Sequence, residues 1–94
     1  MESNQENLGN ETQEAQKEIK IIVNARVKEW DERTISYEQV VILAFGSYSS
    51  DPNVVYTVTY SKSHQIPHEG SLVKGKIIKV NEGMIFNATQ TNKS

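Results

Sequence analysis

The chain contains no cysteine, so neither a disulfide nor a thiolate zinc site supports its core, and a reducing compartment is permitted. Its two prolines, Pro52 and Pro67, both fall in polar segments that read as loops. No basic start followed by an apolar run marks a secretory signal, and no stretch is long enough to span a membrane. Without such a signal, the glycosylation patterns at Asn10 and Asn87 carry little meaning. Charge of one sign is also scarce. From Ile19 onward nine Lys and Arg stand against seven Asp and Glu, a surplus too weak and too scattered to expect nucleic acid. Phosphate-binding glycine loops, nucleophile elbows and paired catalytic carboxylates are absent as well, so the residues do not suggest an enzyme.

What is present fits one small domain. Residues 1–18 hold five Glu, one Leu and no aromatic residue. This composition cannot bury enough apolar surface to offset its ordering entropy, and it reads as a disordered acidic and polar leader. The domain is expected over residues 19–90, with a flexible tail at 91–94. It lies near the lower size limit for a single unaided core.

Along that domain, Ile19, Ile21 and Val23 alternate with Lys20 and Ile22, which predicts a strand with an inward apolar row. Asn24-Ala25 is placed to turn the chain, although a primed turn favours Gly where Ala25 stands. Arg26–Asp31 then returns as a more polar strand, with Val27 or Trp30 toward the core depending on register. Ser36 and Gln39 form a capping box ahead of a helix over Tyr37–Phe45, with Ile35 and Val40 as a hydrophobic staple and Gly46 as the stop. Val54–Ser61 alternates cleanly and reads as the strongest strand. Lys62–Val73 reads as a loop. Lys76–Val80 and Met84–Thr89 are predicted to form a closing hairpin around Asn81-Glu82-Gly83.

The resulting order, ββαβββ, predicts an α+β fold: a mixed five-stranded sheet with one helix packed across it. This is the β-grasp arrangement, with the first and last strands parallel at the centre. On that layout Ile22, Val55, Thr57, Thr59 and Ile85 share the face away from the helix and form a candidate partner patch, or a surface for self-association. His64 and His68, beside Glu69, have no evident third metal ligand, and Pro67 keeps them off one helical face, so no metal is expected. Tyr56 and Tyr60 alternate as core residues before they form a stacking platform.

The residues quoted carry a resemblance. Ile22-Val23-Asn24, Ile35 to Val41 with Leu43-Ala44-Phe45, Tyr56 to Tyr60, Glu69 to Gly75, Glu82 to Phe86 and the ending Thr91 to Ser94 together resemble one repeat of the bacterial multiubiquitin family of ubiquitin-like domains. The resemblance spans Ile21 to Ser94. It implies a protein modifier in a bacterial cytoplasm, with no cofactor and no catalytic residue of its own. The implied partners are an activating (E1-like) enzyme, a conjugating (E2-like) enzyme, a deconjugating metallopeptidase and target proteins. The tail Gln90, Thr91, Asn92, Lys93 and Ser94 is the implied conjugation element, and Lys20, Lys62, Lys74, Lys76 and Lys79 are ordinary surface before they are acceptors for chains. Two other readings stay open: a self-assembling scaffold domain, and a sulfur carrier, which the missing Gly-Gly ending disfavours.

Overall fold

The computed structural model describes residues 18–93. The leader up to residue 17 and Ser94 lie outside the described residues. The elements are β1 (Ile19–Val23), β2 (Arg26–Trp30), β3 (Thr34–Ser36), α1 (Tyr37–Phe45), β4 (Val54–Ser61), β5 (Gly70–Leu72), β6 (Ile77–Lys79) and β7 (Ile85–Asn92). Five strands make a mixed sheet in the order β2-β1-β7-β4-β5, and β3 pairs with β6 in a separate two-stranded sheet. The helix packs across one face of the larger sheet, which is the expected β-grasp.

Each element follows from its residues. β1 turns Ile21 and Val23 into the core while Ile22 looks the other way. In β4 the buried set is Tyr56, Val58 and Tyr60, and Val55 and Thr57 stay exposed on the opposite face. The helix begins as its capping box requires. Ser36 Oγ accepts from the Gln39 N–H at 3.0 Å, and Gln39 Oε1 accepts from the Ser36 N–H at 2.9 Å. It ends where Gly46 takes a left-handed φ of 88° and donates its N–H to the Ile42 carbonyl. Tyr37, Val40 and Val41 then join Ile21, Val23, Phe86 and Val58 in one cluster, with Ile35 and Met84 wholly buried beside them. Fully burying side chains of this size stabilises by about 1.5–3 kcal/mol each.

The centre of the sheet is the parallel pair β1–β7, with Ile22 opposite Ile85 and Val23 opposite Phe86. On its other edge β7 pairs antiparallel with β4 from Ile85–Ser61 to Asn92–Val54. With both edges of β7 taken, β6 has no place beside it. The closing hairpin expected of Lys76–Val80 and Met84–Thr89 is therefore not formed. β6 pairs instead with β3, a short strand the sequence pattern did not suggest, through Thr34–Lys79, Ile35–Ile78 and Ser36–Ile77. The turn at Asn81-Glu82-Gly83 does form, closed by the Met84 N–H on the Asn81 carbonyl at 3.1 Å, but it carries the chain from one sheet to the other. β1 fastens it: Lys20 N–H donates to Glu82 Oε1, and the Lys20 carbonyl accepts from Gly83 N–H.

The fifth strand of the sheet is β5, which lies inside the segment read as a loop. Gly70 opens it opposite Tyr60, whose hydroxyl lies 3.0 Å from where a Cβ would stand. A glycine lets the tyrosine ring cross the strand there. The β1–β2 turn holds Asn24 at φ 51° and Ala25 at φ 69°. Both are left-handed, as a primed two-residue turn demands, and for Ala this conformation is unfavourable by about 1–2 kcal/mol.

Ala25→Gly removes that strain and gives back part of it as unfolded-state entropy, so the variant should be about 1 kcal/mol more stable. Urea unfolding should show a higher midpoint with an unchanged slope. In the opposite sense, Phe86→Ala should destabilise by about 3–5 kcal/mol through the cavity it leaves at the sheet centre.

Candidate functional site

The open face of the sheet takes its shape from register. The two-residue turn sets Val27 opposite Ile22, parallel pairing sets Ile22 opposite Ile85, and β4 adds Ser61 in the same row. Val27 is 63% exposed, and Ile22 and Ile85 are half-buried, so three aliphatic side chains cross three adjacent strands. On the next row Lys20 faces Glu29, their charged groups 3.9 Å apart and both well exposed, a pair that adds little stability. On the other flank the rows are Thr59–Asn87, Thr57–Thr89 and Val55–Thr91.

The residues proposed for this face from sequence all point to it, but they do not form one apolar surface. Ile22 and Ile85 are neighbours. Val55 lies about 20 Å away along β4, among threonines. For Val27, alternation alone does not decide between core and surface. The two-residue spacing of Asn24-Ala25 is the signal that fixes it, because such a turn places Arg26 opposite Val23 and Val27 opposite Ile22. Trp30, the alternative, faces the core side and donates its indole N–H to the Thr34 carbonyl at 2.9 Å.

The second part of the site is the end of β7. Tail residues Thr91 and Asn92, expected to be flexible, are ladder residues opposite Val55 and Val54, and Lys93 N–H donates to the Asn53 carbonyl at 2.7 Å. The chain stays extended here because β4 is long enough to template it. Gln90 is opposite Tyr56, its side chain directed to Asn92. Ser94 lies outside the described residues. On its other edge β7 is covered by β1 only as far as Phe86. Asn24 then extends the ladder by one residue with its side chain: Oδ1 accepts from Ala88 N–H at 2.8 Å, and Nδ2 donates to the Ala88 carbonyl at 3.1 Å.

Elsewhere, a groove of about 460 Å³ runs beside β4, bounded by Tyr37, Tyr48, Val73 and Lys74. Its aromatic wall is structural. Tyr48 stacks on Tyr56 at 5.2 Å, and Tyr37 Oη donates to the Tyr56 carbonyl. Burial pushes the Tyr37 phenol above its ordinary range and keeps it a donor. His64 and His68 line a shallow depression with Glu69 and Glu82, and His68 Nδ1 contacts the Ser63 carbonyl at 2.8 Å. Among the described residues no three His, Asp or Glu side chains are grouped to hold a metal ion. Lys20, Lys62, Lys74, Lys76 and Lys79 are all exposed.

Against known families, the model described as multiubiquitin matches residues 19–92. The chain belongs to the multiubiquitin family. It is a ubiquitin-like domain by sequence as well as by fold. No curated protein and no solved structure gave a match. Among the described residues no helix is long and apolar enough to cross a membrane.

Asn24→Ala would remove both bonds to Ala88. With Ala also placed at a left-handed φ of 51°, the variant should lose about 2–4 kcal/mol, and hydrogen exchange should show the Ala88 amide losing protection while those of Val58 and Phe86 follow the change in global stability.

Proposed function

We propose that this domain is a protein modifier, attached to targets through its C-terminal carboxylate by partner enzymes in a bacterial cytoplasm. The observation that carries the reading is membership of the multiubiquitin family over residues 19–92, combined with a last strand that leads the chain off the end of the sheet. The domain is a substrate and contributes no catalytic group. In the first step the C-terminal carboxylate oxygen attacks the α-phosphorus of ATP on an E1-like enzyme, and pyrophosphate leaves. An enzyme nucleophile then displaces AMP to hold the acyl group, an E2-like enzyme carries it, and a target amine or hydroxyl accepts it. A metallopeptidase reverses the attachment. Lys93 and Ser94 carry Cβ atoms and a cationic side chain, which a channel selecting Gly-Gly on steric grounds would reject.

The row Val27, Ile22 and Ile85 suits recognition by those enzymes: it is apolar, central on the open face and rimmed by polar residues. A second reading, a non-covalent scaffold that self-assembles through this sheet, is favoured by one observation: Thr91, Asn92 and Lys93 are engaged with β4.

The deciding experiment is mass spectrometry on an N-terminally tagged copy purified under denaturing conditions from cells carrying its native gene neighbourhood. Peptides bearing the tail that ends in Ser94, lost when the last residues are deleted, support the modifier. Their absence in cells whose partner enzymes are active supports the scaffold. Val27→Asp should leave the urea midpoint within about 0.5 kcal/mol of the parent and lower the conjugate yield about tenfold, the loss of one apolar anchor in an interface.

A further inference from the structure

The tail is bound to the domain by a different kind of contact from the rest of β7. Phe86 and Ala88 are buried, and Ala88 is the last residue of the strand with its side chain in the core. From Thr89 to Lys93 every residue is exposed. These residues are held by backbone pairing to Asn53–Thr57 on one edge, while β1 has ended on the other. The Lys93–Asn53 bond sets the alternation of the ladder: Thr89 and Thr91 exchange bonds with Thr57 and Val55, and Gln90 and Asn92 turn their backbone groups to the uncovered edge. At Ala88 the Asn24 amide grips both the N–H and the carbonyl.

We infer that residues 89–93 form a detachable latch hinged at Ala88: closed, it lies against β4, and open, it is presented as a single extended strand. Its use in conjugation rests on the modifier reading. The lengths make the case. With the latch closed the chain is still bonded to β4 at Lys93, through its N–H on the Asn53 carbonyl, and β4 runs alongside at about 4.8 Å. A channel that admits one extended chain excludes that ribbon. Opened from Ala88, these five residues reach about 17 Å. The clamp by Asn24 stops the opening there, so the buried half of β7 keeps its place between β1 and β4. Exposed polar side chains, and one edge that no described residue covers, put this segment at the low-stability end of the fold, so it opens without global unfolding.

The test uses the absence of cysteine. Val54 and Asn92 face each other at a position that does not exchange ladder bonds, where Cα atoms lie within disulfide range. The pair Val54→Cys with Asn92→Cys locks the latch when oxidised and frees it when reduced. Val55→Pro removes a donor to Thr91 and loosens it. The probe is a broad-specificity carboxypeptidase, followed by intact mass, which needs no partner enzyme. The oxidised pair should stall before residue 92 and be trimmed at least about tenfold more slowly than the reduced pair. Val55→Pro should be trimmed several-fold faster than the parent. In the parent, the Thr91 and Lys93 amides should exchange on the order of 10–100-fold more slowly than in a free peptide. Equal trimming rates in the parent and Val55→Pro, or free-peptide exchange at Thr91 and Lys93, would overturn the latch. A missing conjugate in cells would count against the modifier and leave these rates unchanged.

Discussion

Everything in this fold is arranged around the parallel contact between β1 and β7, in which Ile22 meets Ile85 and Val23 meets Phe86. Parallel neighbours cannot be joined by a short turn, and the intervening chain must cross over a face of the sheet. Here that chain supplies the helix, which covers Ile21, Val23, Val58 and Phe86 and, among the described residues, leaves the other face bare. The same contact fills one edge of β7, while β4 fills the other. The helix-covered face, the bare face and the path of the chain end are three outcomes of one pairing.

Much of this was legible in the residues. The capping box at Ser36 and Gln39, the Gly46 stop and the alternation of Val54–Ser61 are local signals, and they fixed the helix and its best strand to the residue. The parallel centre followed from two apolar strands at the ends of a ββαβββ order. What escaped was non-local. β3 and β5 have three residues each, too few for a period to declare itself, and each exists because a partner from elsewhere in the chain lines it up, while β6 was legible as a strand within Lys76–Val80 but not its partner β3. Lys76–Val80 and Met84–Thr89 resembled a hairpin because their turn is sound. Only the occupancy of both β7 edges decides against their pairing. The polar composition of Thr91 and Asn92 suggested a loose tail, whereas backbone groups are indifferent to side-chain polarity and pair wherever β4 offers a template.

The two parts of the candidate site were legible to different degrees for the same reason. Ile22 and Ile85 on the open face could be placed from alternation alone, but Val27 needed the register of the first turn. The family match covers the domain up to Asn92, so it speaks for the β-grasp body and for the strand that leads to the end. On the modifier reading proposed above, the chemistry of attachment would belong to enzymes outside this chain. What the domain itself supplies is a rigid body, an apolar row and a strand whose last residues depend on hydrogen bonds alone.

The first turn has a consequence for how the protein ages. Asparagine followed by glycine is the pairing that best relieves two left-handed residues, and it is also the one whose side-chain amide is most readily lost, since an unhindered backbone nitrogen attacks it. The chain keeps Ala25 there and accepts the strain. Asn24 is the residue whose amide must survive, because an aspartate in its place would set an acceptor against the Ala88 carbonyl instead of a donor. A methyl group on Ala25 thus shields the amide that anchors the last strand, trading folding stability for chemical durability.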